Sequence, residues 1–157
     1  MGQEEGDMIK FLVPGKPATK GSTRSFAHAK TGSIVTMAAN PRTKTWQAAV
    51  AYHAMQAGVK RAPKGVAVSV GACFVFTRPA SHFGTGRNAA QLKLSAPQWP
   101  VTRACGDVDK LLRCLLDGLD SVAYEDDSQV CMTVASKRYQ VGEEPLGAWV
   151  TVDGGAE

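Results

Sequence analysis

Two acidic pairs, about twenty residues apart, hold the side chains best suited to chemistry in this sequence. Asp107 and Asp109 open a leucine-rich stretch, and Asp126 and Asp127 follow it. Neighbouring carboxylates raise one another's pKa, so a cluster stays ionised only beside a cation or a cationic side chain. Carboxylates are hard oxygen ligands, which favour Mg²⁺ or Mn²⁺ over zinc. The residues therefore favour a divalent-metal site over the alternative, a helix cap at Asp107 and a turn at Asp126 and Asp127.

The basic residues are segregated from the acids along the chain. No Asp or Glu lies between Met8 and Arg103, a segment that holds fourteen of the eighteen Lys and Arg residues, and the formal net charge is +4. A basic surface with one acidic cluster is expected to bind a polyanion. Nucleic acid is the polyanion whose phosphates Lys and Arg side chains neutralise. Metal-assisted hydrolysis of a phosphodiester would fit both features. The alternative is a generally basic protein with solvated lysines.

The stretch between the acidic pairs has helical periodicity. Its apolar residues follow the i, i+3, i+4, i+7 series and form one stripe: Val108, Leu111, Leu112, Leu115, Leu116 and Leu119. Lys110, Arg113 and Asp117 fall on the opposite face, where Arg113 or Lys110 could position a scissile phosphate. Asp107 and Asp109 would diverge by about 200° inside one helix, so they converge only if the helix begins just after Asp107.

The other elements predict a scaffold for this helix. Strands are predicted at 8–13, 66–77, 129–139 and 148–152, with a hairpin turn near Thr31-Gly32 and its return strand at 34–36. A second helix is predicted to start at Asn40-Pro41 and to end at Gly58, with His53 as a core or boundary histidine. Residues 1–7 are expected to be frayed. The fold class is therefore a small α/β (α+β) single domain over 1–157, with a mixed sheet of about four to six strands and two main helices packed on it.

Two loops and one strand end carry the cations expected to contact DNA. The first loop lies in 15–26 and the second in 78–105, where Trp99 suits base stacking unless it packs back onto the core. Solvated loops without a ligand are the alternative. The predicted DNA-binding residues are Lys16, Lys20, Arg24, Arg87, Lys93, Arg103, Lys110, Lys137 and Arg138.

The cysteine spacing and the hydropathy exclude several classes of protein. Cys73, Cys105, Cys114 and Cys131 lack the close spacing of zinc or redox motifs, which predicts reduced thiols and a cytoplasmic location. No apolar run is long enough to span a bilayer, so no membrane association is expected. No motif for a small-molecule cofactor is present.

The motifs resemble those of one known family. DVDKLLRCLLDGL followed by YEDDSQV resembles the signature of the RusA family of Holliday-junction resolvases, and PGKPATKGSTR, SHFGTGRN and LKLSAP are similar to segments of its phage-borne members. The resemblance implies a homodimeric, Mg²⁺- or Mn²⁺-dependent endonuclease that makes paired symmetric nicks in four-way DNA junctions. It places the catalytic, metal-binding aspartates at Asp107, Asp109 and Asp127, with Asp126 as a further candidate ligand.

The sequence departs from the family pattern at two positions. The catalytic lysine of the family, six residues after the first aspartate, is Arg113 here, and Lys110 stands where asparagine is common. A guanidinium keeps the charge but presents a planar fork in place of a point-charge ammonium. Two rival functions remain open: a non-catalytic basic DNA-binding protein, and a metal-dependent nuclease acting on other branched DNA.

Overall fold

A mixed four-stranded sheet forms the centre of the fold. The computed structural model describes residues 8–21, 23–38 and 40–154, so the expectation for residues 1–7 lies outside the described part. The strands in chain order are β1 (Ile9–Pro14), β2 (Thr23–Ala27), β3 (Ile34–Ala38), β4 (Val68–Phe76), β5 (Val130–Tyr139) and β6 (Gly147–Gly154). The sheet order is β1-β6-β4-β5, with β4 and β5 parallel and the other pairs antiparallel. The strands β2 and β3 form a separate hairpin.

Two helices, α1 (Thr43–Gln56) and α2 (Val108–Leu119), supply the rest of the core. Alternate residues of β4 are buried from Val68 to Phe76, as a strand with one covered face requires. The α2 stripe buries Leu111, Leu115 and Leu119 completely. The predicted fold class is therefore confirmed: a mixed sheet with two main helices. Among the described residues, no helix combines the length and the apolar character needed to cross a membrane.

The start of α1 differs from the prediction. The helix begins at Thr43, and its N-cap residue is Arg42, which makes no side-chain capping bond. Asn40 instead accepts a hydrogen bond from the Arg42 backbone N–H at 3.0 Å and closes a turn before the helix. Asx turns and helix caps use the same side-chain chemistry, so the sequence could not separate them. The helix ends as predicted, with Gly58 at φ 85° directly beyond the Ala57 C-cap.

The two helices meet closely at Gly118. A Cβ built on Gly118 would lie 2.9 Å from Val50 Cβ and 3.0 Å from the Gln47 carbonyl oxygen. A side chain at this position would have to push α1 away from α2.

Gly118→Val is expected to lower the free energy of unfolding by about 1–3 kcal/mol, because overpacking at a helix contact forces backbone shifts. Chemical denaturation measures the change. The matched control is Ala48→Val on the exposed face of α1, which introduces the same β-branched residue into a helix without the clash and should cost less than about 0.7 kcal/mol. Equal losses in the two variants would mean that the contact at Gly118 is unimportant.

The strand β5 leaves apolar side chains uncovered at the edge of the sheet. Met132 is 64% exposed and Val134 is 69% exposed, on the face of β5 whose register partners in β4 are Ser69 and Gly71. In the described residues, β5 pairs only with β4. An unpaired edge with exposed apolar residues is a ready surface for another strand.

Candidate active site

The first acidic pair lies at the point where the extended chain turns into α2. Gly106 has φ 78°, Asp107 is extended (φ −81°, ψ 140°), and the helix begins at Val108. A Cβ on Gly106 would lie 2.4 Å from a Thr19 methyl carbon, so this turn requires glycine. Asp107 occupies the N-cap position of α2, as the cap alternative has it, but its side chain makes no capping hydrogen bond to the helix. Asp107 and Asp109 are both exposed at a helix N-terminus, where the dipole favours negative charge.

Basic side chains surround Asp107. Lys110 Nζ lies 2.9 Å from Asp107 Oδ2, and its hydrogen bond and charge lower the pKa of Asp107, with smaller contributions from Lys137 and Arg103. Lys137 Nζ donates to the Gly106 carbonyl oxygen at 2.7 Å. About one turn beyond Arg113, Asp117 forms an ion pair with Lys20. The Asp107 carboxylate therefore has the cationic neighbours that keep such a group ionised.

A small cationic cavity lies against Gly106. It has a volume of about 250 Å³, and its lining includes Lys16, Thr19, Asn40, Arg42, Arg103 and Gly106. The Arg42 guanidinium donates to the carbonyl oxygens of Lys16 (3.1 Å) and Pro17 (2.8 Å) and so holds the first cationic loop at the start of α1. Three basic residues around one cavity suit a phosphate group.

Sequence analysis did not identify Arg42 as a site residue. Its position directly before a helix was visible, next to the turn-forming Asn40-Pro41. However, Lys16 and Pro17 lie 26 and 25 residues away along the chain, and only the tertiary fold brings that loop to the helix start.

The second acidic pair lies on a turn between α2 and β5. Asp126 Oδ1 accepts a hydrogen bond from the Ser128 backbone N–H at 2.8 Å, and Gln129 completes a capping box. The hydrogen bonds from Ser128 lower the pKa of Asp126. Gln129 also donates to Pro63 and Val66, which anchors the turn to the body of the protein. Asp126 therefore has the turn role that the sequence offered as an alternative, while the Asp127 side chain is exposed beside it.

The two acidic pairs lie at opposite ends of α2 in one chain. The twelve residues of α2 span about 18 Å at 1.5 Å per residue. Lys137, near the end of β5, contacts Gly106, whereas Asp127 precedes the first residue of β5. Within the described residues, no group of three or more His, Cys, Asp or Glu side chains is placed to hold a metal ion. In a single chain, Asp107 and Asp109 thus lie at the start of α2, and Asp127 follows its other end.

The other predicted DNA-binding residues divide into two groups. Exposed cations without an ion pair among the described residues are Lys16, Arg87 and Arg103, and the catalytic candidate Arg113 is exposed in the same way. The second group makes internal contacts: Lys93 Nζ donates to the Ser81 carbonyl at 2.9 Å, and Arg138 pairs with Glu144. The side chain of Arg24 lies outside the described part. Trp99 is 54% exposed, so the alternative that it packs onto the core is wrong.

The pairing of Glu144 with Arg138 predicts a pH-dependent contribution to stability. The hydrogen bond from Arg138 lowers the pKa of Glu144 below its ordinary value of 4.5. The stabilisation is therefore complete above about pH 4.5 and is lost as the pH falls through the folded-state pKa. Glu144→Gln should lower the free energy of unfolding by about 0.5–1 kcal/mol at pH 7 and leave it unchanged near pH 2.

Chemical denaturation at the two pH values measures this difference. Glu143→Gln is the matched control, because it removes an exposed neighbouring charge that forms no ion pair in the described residues. A loss in Glu144→Gln that is equal at both pH values would show that the ion pair does not stabilise the fold.

Comparison with known proteins identifies one family. A protein-family profile described as "Endodeoxyribonuclease RusA" matches residues 14–151, which is nearly the whole chain. The matched span contains both acidic pairs, α2 and both cationic loops. A search of curated proteins found no match.

Proposed function

Because the chain belongs to the RusA family of endodeoxyribonucleases, we propose that it cuts four-way DNA junctions in a reaction that depends on Mg²⁺ or Mn²⁺. One observation carries the proposal: Asp107 and Asp109 are exposed at the start of α2, and the lining of the cationic cavity includes Gly106, the residue before Asp107. Carboxylates suited to a hard cation and basic residues suited to a phosphate are the two halves of a phosphodiesterase site. The proposed place of action is the cytoplasm, that of the bacterial host if the protein is encoded by a phage.

The chain's own residues have separate roles in this proposal. Asp107 and Asp109 hold the divalent cation, which supplies water activation and charge stabilisation when bound. Lys16, Arg42 and Arg103 bind a DNA phosphate in the cationic cavity. Arg113 is exposed one turn along α2 and stabilises charge on the phosphate in place of the lysine common in the family. Backbone contacts of this kind recognise the shape of a junction and not its base sequence.

The proposal includes a homodimer, because Asp127 lies at the far end of α2 from the first acidic pair. The free edge of β5 offers a pairing surface, with Met132 and Val134 exposed beside it. Antiparallel pairing of two β5 edges about a two-fold axis near Met132 would bring Asp127 of one chain towards Asp107 of the partner subunit. Each site would then combine Asp107 and Asp109 with Asp127 of the partner subunit, and two symmetric sites suit two symmetric strands.

The proposed function is tested with the wild-type protein on two labelled substrates. A synthetic four-way junction and a linear duplex of matched sequence are incubated with Mg²⁺, with Mn²⁺, or with a chelator. Paired symmetric nicks that ligate directly are expected in the junction alone, and only when a divalent ion is present. Junction binding without metal-dependent cutting would leave a non-catalytic DNA-binding protein. Equal cutting of the duplex would refute selectivity for structure, and preferred cutting of flaps would indicate a nuclease for other branched DNA.

A further inference from the structure

A large cavity lies beyond the end of β5, separate from the acidic pair. Its volume is about 700 Å³, within the range of sites that hold a small ligand. The second cationic loop forms one wall and the chain at 138–142 forms the other. Much of the lining is apolar or aromatic, through Phe83, Leu92, Trp99 and Tyr139. A large aromatic-lined cavity open to solvent has no structural role in a small fold, which makes it a candidate binding site.

The loop that carries Trp99 is well braced. The Arg78 guanidinium donates to the Pro97 carbonyl at 2.7 Å and lies 4.4 Å from the centre of the Tyr139 ring. A bridge between Phe83 and Leu92 closes the loop upon itself. Pro100 is fully buried, yet the neighbouring Trp99 is 54% exposed. The loop therefore holds the indole ring at the cavity wall before a ligand arrives. Little conformational entropy of the loop is then lost when a ligand binds.

The charge and position of the cavity indicate what occupies it. Arg78 lines the cavity and has no ion-pair partner in the described residues, whereas the nearby Arg138 is paired with Glu144. No acid is among the lining residues. The wall residue Tyr139 is two positions from Lys137, whose ammonium contacts Gly106 beside Asp107. An occupant that is flat, aromatic and attached to an anionic chain near the acidic pair matches all of these features.

We infer that this cavity binds an unpaired nucleobase of the DNA strand that enters the active site, by stacking on Trp99. The base lies between the indole ring and the apolar wall at Phe83 and Leu92, and Arg78 faces the adjoining sugar-phosphate chain. Stacking accepts any base, because every base has a π face. The inference rests on the proposed DNA substrate but not on strand cutting. Junctions whose central bases unstack supply such a base, whereas an intact duplex does not.

Equilibrium binding of a labelled oligothymidylate strand, measured by fluorescence anisotropy with chelator present, tests the inference without cleavage. Trp99→Ala should weaken binding by about 5- to 150-fold, because stacking on an aromatic ring contributes about 1–3 kcal/mol per base. Trp99→Phe keeps an aromatic face and should remain within about fivefold of wild type. Leu94→Ala is the matched control, since Leu94 is fully exposed on the same loop but does not line the cavity. It should bind as wild type does.

A linear duplex distinguishes stacking from phosphate contact, and Trp99→Ala should bind it as tightly as wild type does. Equal weakening for duplex and single strand, or no weakening for either, would overturn the inference. The junction assay separates it from the proposed function. Normal cutting together with Trp99-independent strand binding would refute the base site alone. Trp99-dependent strand binding without junction cutting would support the base site and refute the endonuclease.

Discussion

Asp109→Asn is expected to reduce junction cutting by at least about 10²-fold while junction binding is retained. The substitution keeps the shape of the side chain but removes the charge that a divalent cation requires. Asp109 is exposed at the start of α2, so the fold should tolerate the change. Removing a negative charge near DNA phosphates should leave the affinity for the junction unchanged or slightly increased. Single-turnover cleavage and gel-shift binding with the same junction measure the two effects separately.

Glu143→Gln is the matched control for this loss of charge. Glu143 is exposed on the loop between β5 and β6 and forms no ion pair in the described residues, so its variant should cut as wild type does. If Asp109→Asn cuts at the wild-type rate, Asp109 has no part in the reaction. If both variants lose cutting equally, the effect is a general one of net charge and not of the acidic pair.

Two inactive variants are expected to restore cutting when they share a dimer. In a mixed dimer of Asp109→Asn and Asp127→Asn, both substitutions fall in one composite site, and the other site keeps all its native aspartates. About half of the wild-type sites should then be active, one per dimer. Because each mixed dimer has one active site, it should cut one strand of the junction and give a nicked junction instead of paired nicks. Mixed dimers are purified with two different affinity tags and assayed on the labelled junction.

The matched control combines two substitutions from the same end of α2. Asp107→Asn and Asp109→Asn damage both composite sites of a mixed dimer, so this pair should stay inactive. Restoration in this control would show that the recovered cutting does not come from one intact composite site. No restoration in the first mixture, from a confirmed mixed dimer, would mean that each site lies within a single chain.

Local patterns in the sequence were sufficient for most elements of the fold. The leucine stripe of α2, the alternation of β4 and the glycine after α1 depend on helical and strand periodicity, which neighbouring residues determine. The two-residue error at the start of α1 arose because Asn40 can close a turn or cap a helix with equal chemistry. The exposure of Trp99 and of β5 could not be predicted, because it depends on which surfaces other elements cover.

The sequence by itself determined the chemistry of this protein. Residue type and order alone show two acidic pairs, a helical pattern between them, and a segment free of acids from Met8 to Arg103. Electrostatics then predicts an acidic cluster that attracts a cation and a basic body that attracts a polyanion. Only the tertiary structure decided which of these groups meet. It placed Arg42 on the same cavity as Gly106, brought Lys137 into contact with Gly106, and left Asp127 beyond the other end of α2. The physical reason is that contacts between distant segments follow from how strands pair and helices pack, whereas periodicity along the chain specifies only the local element.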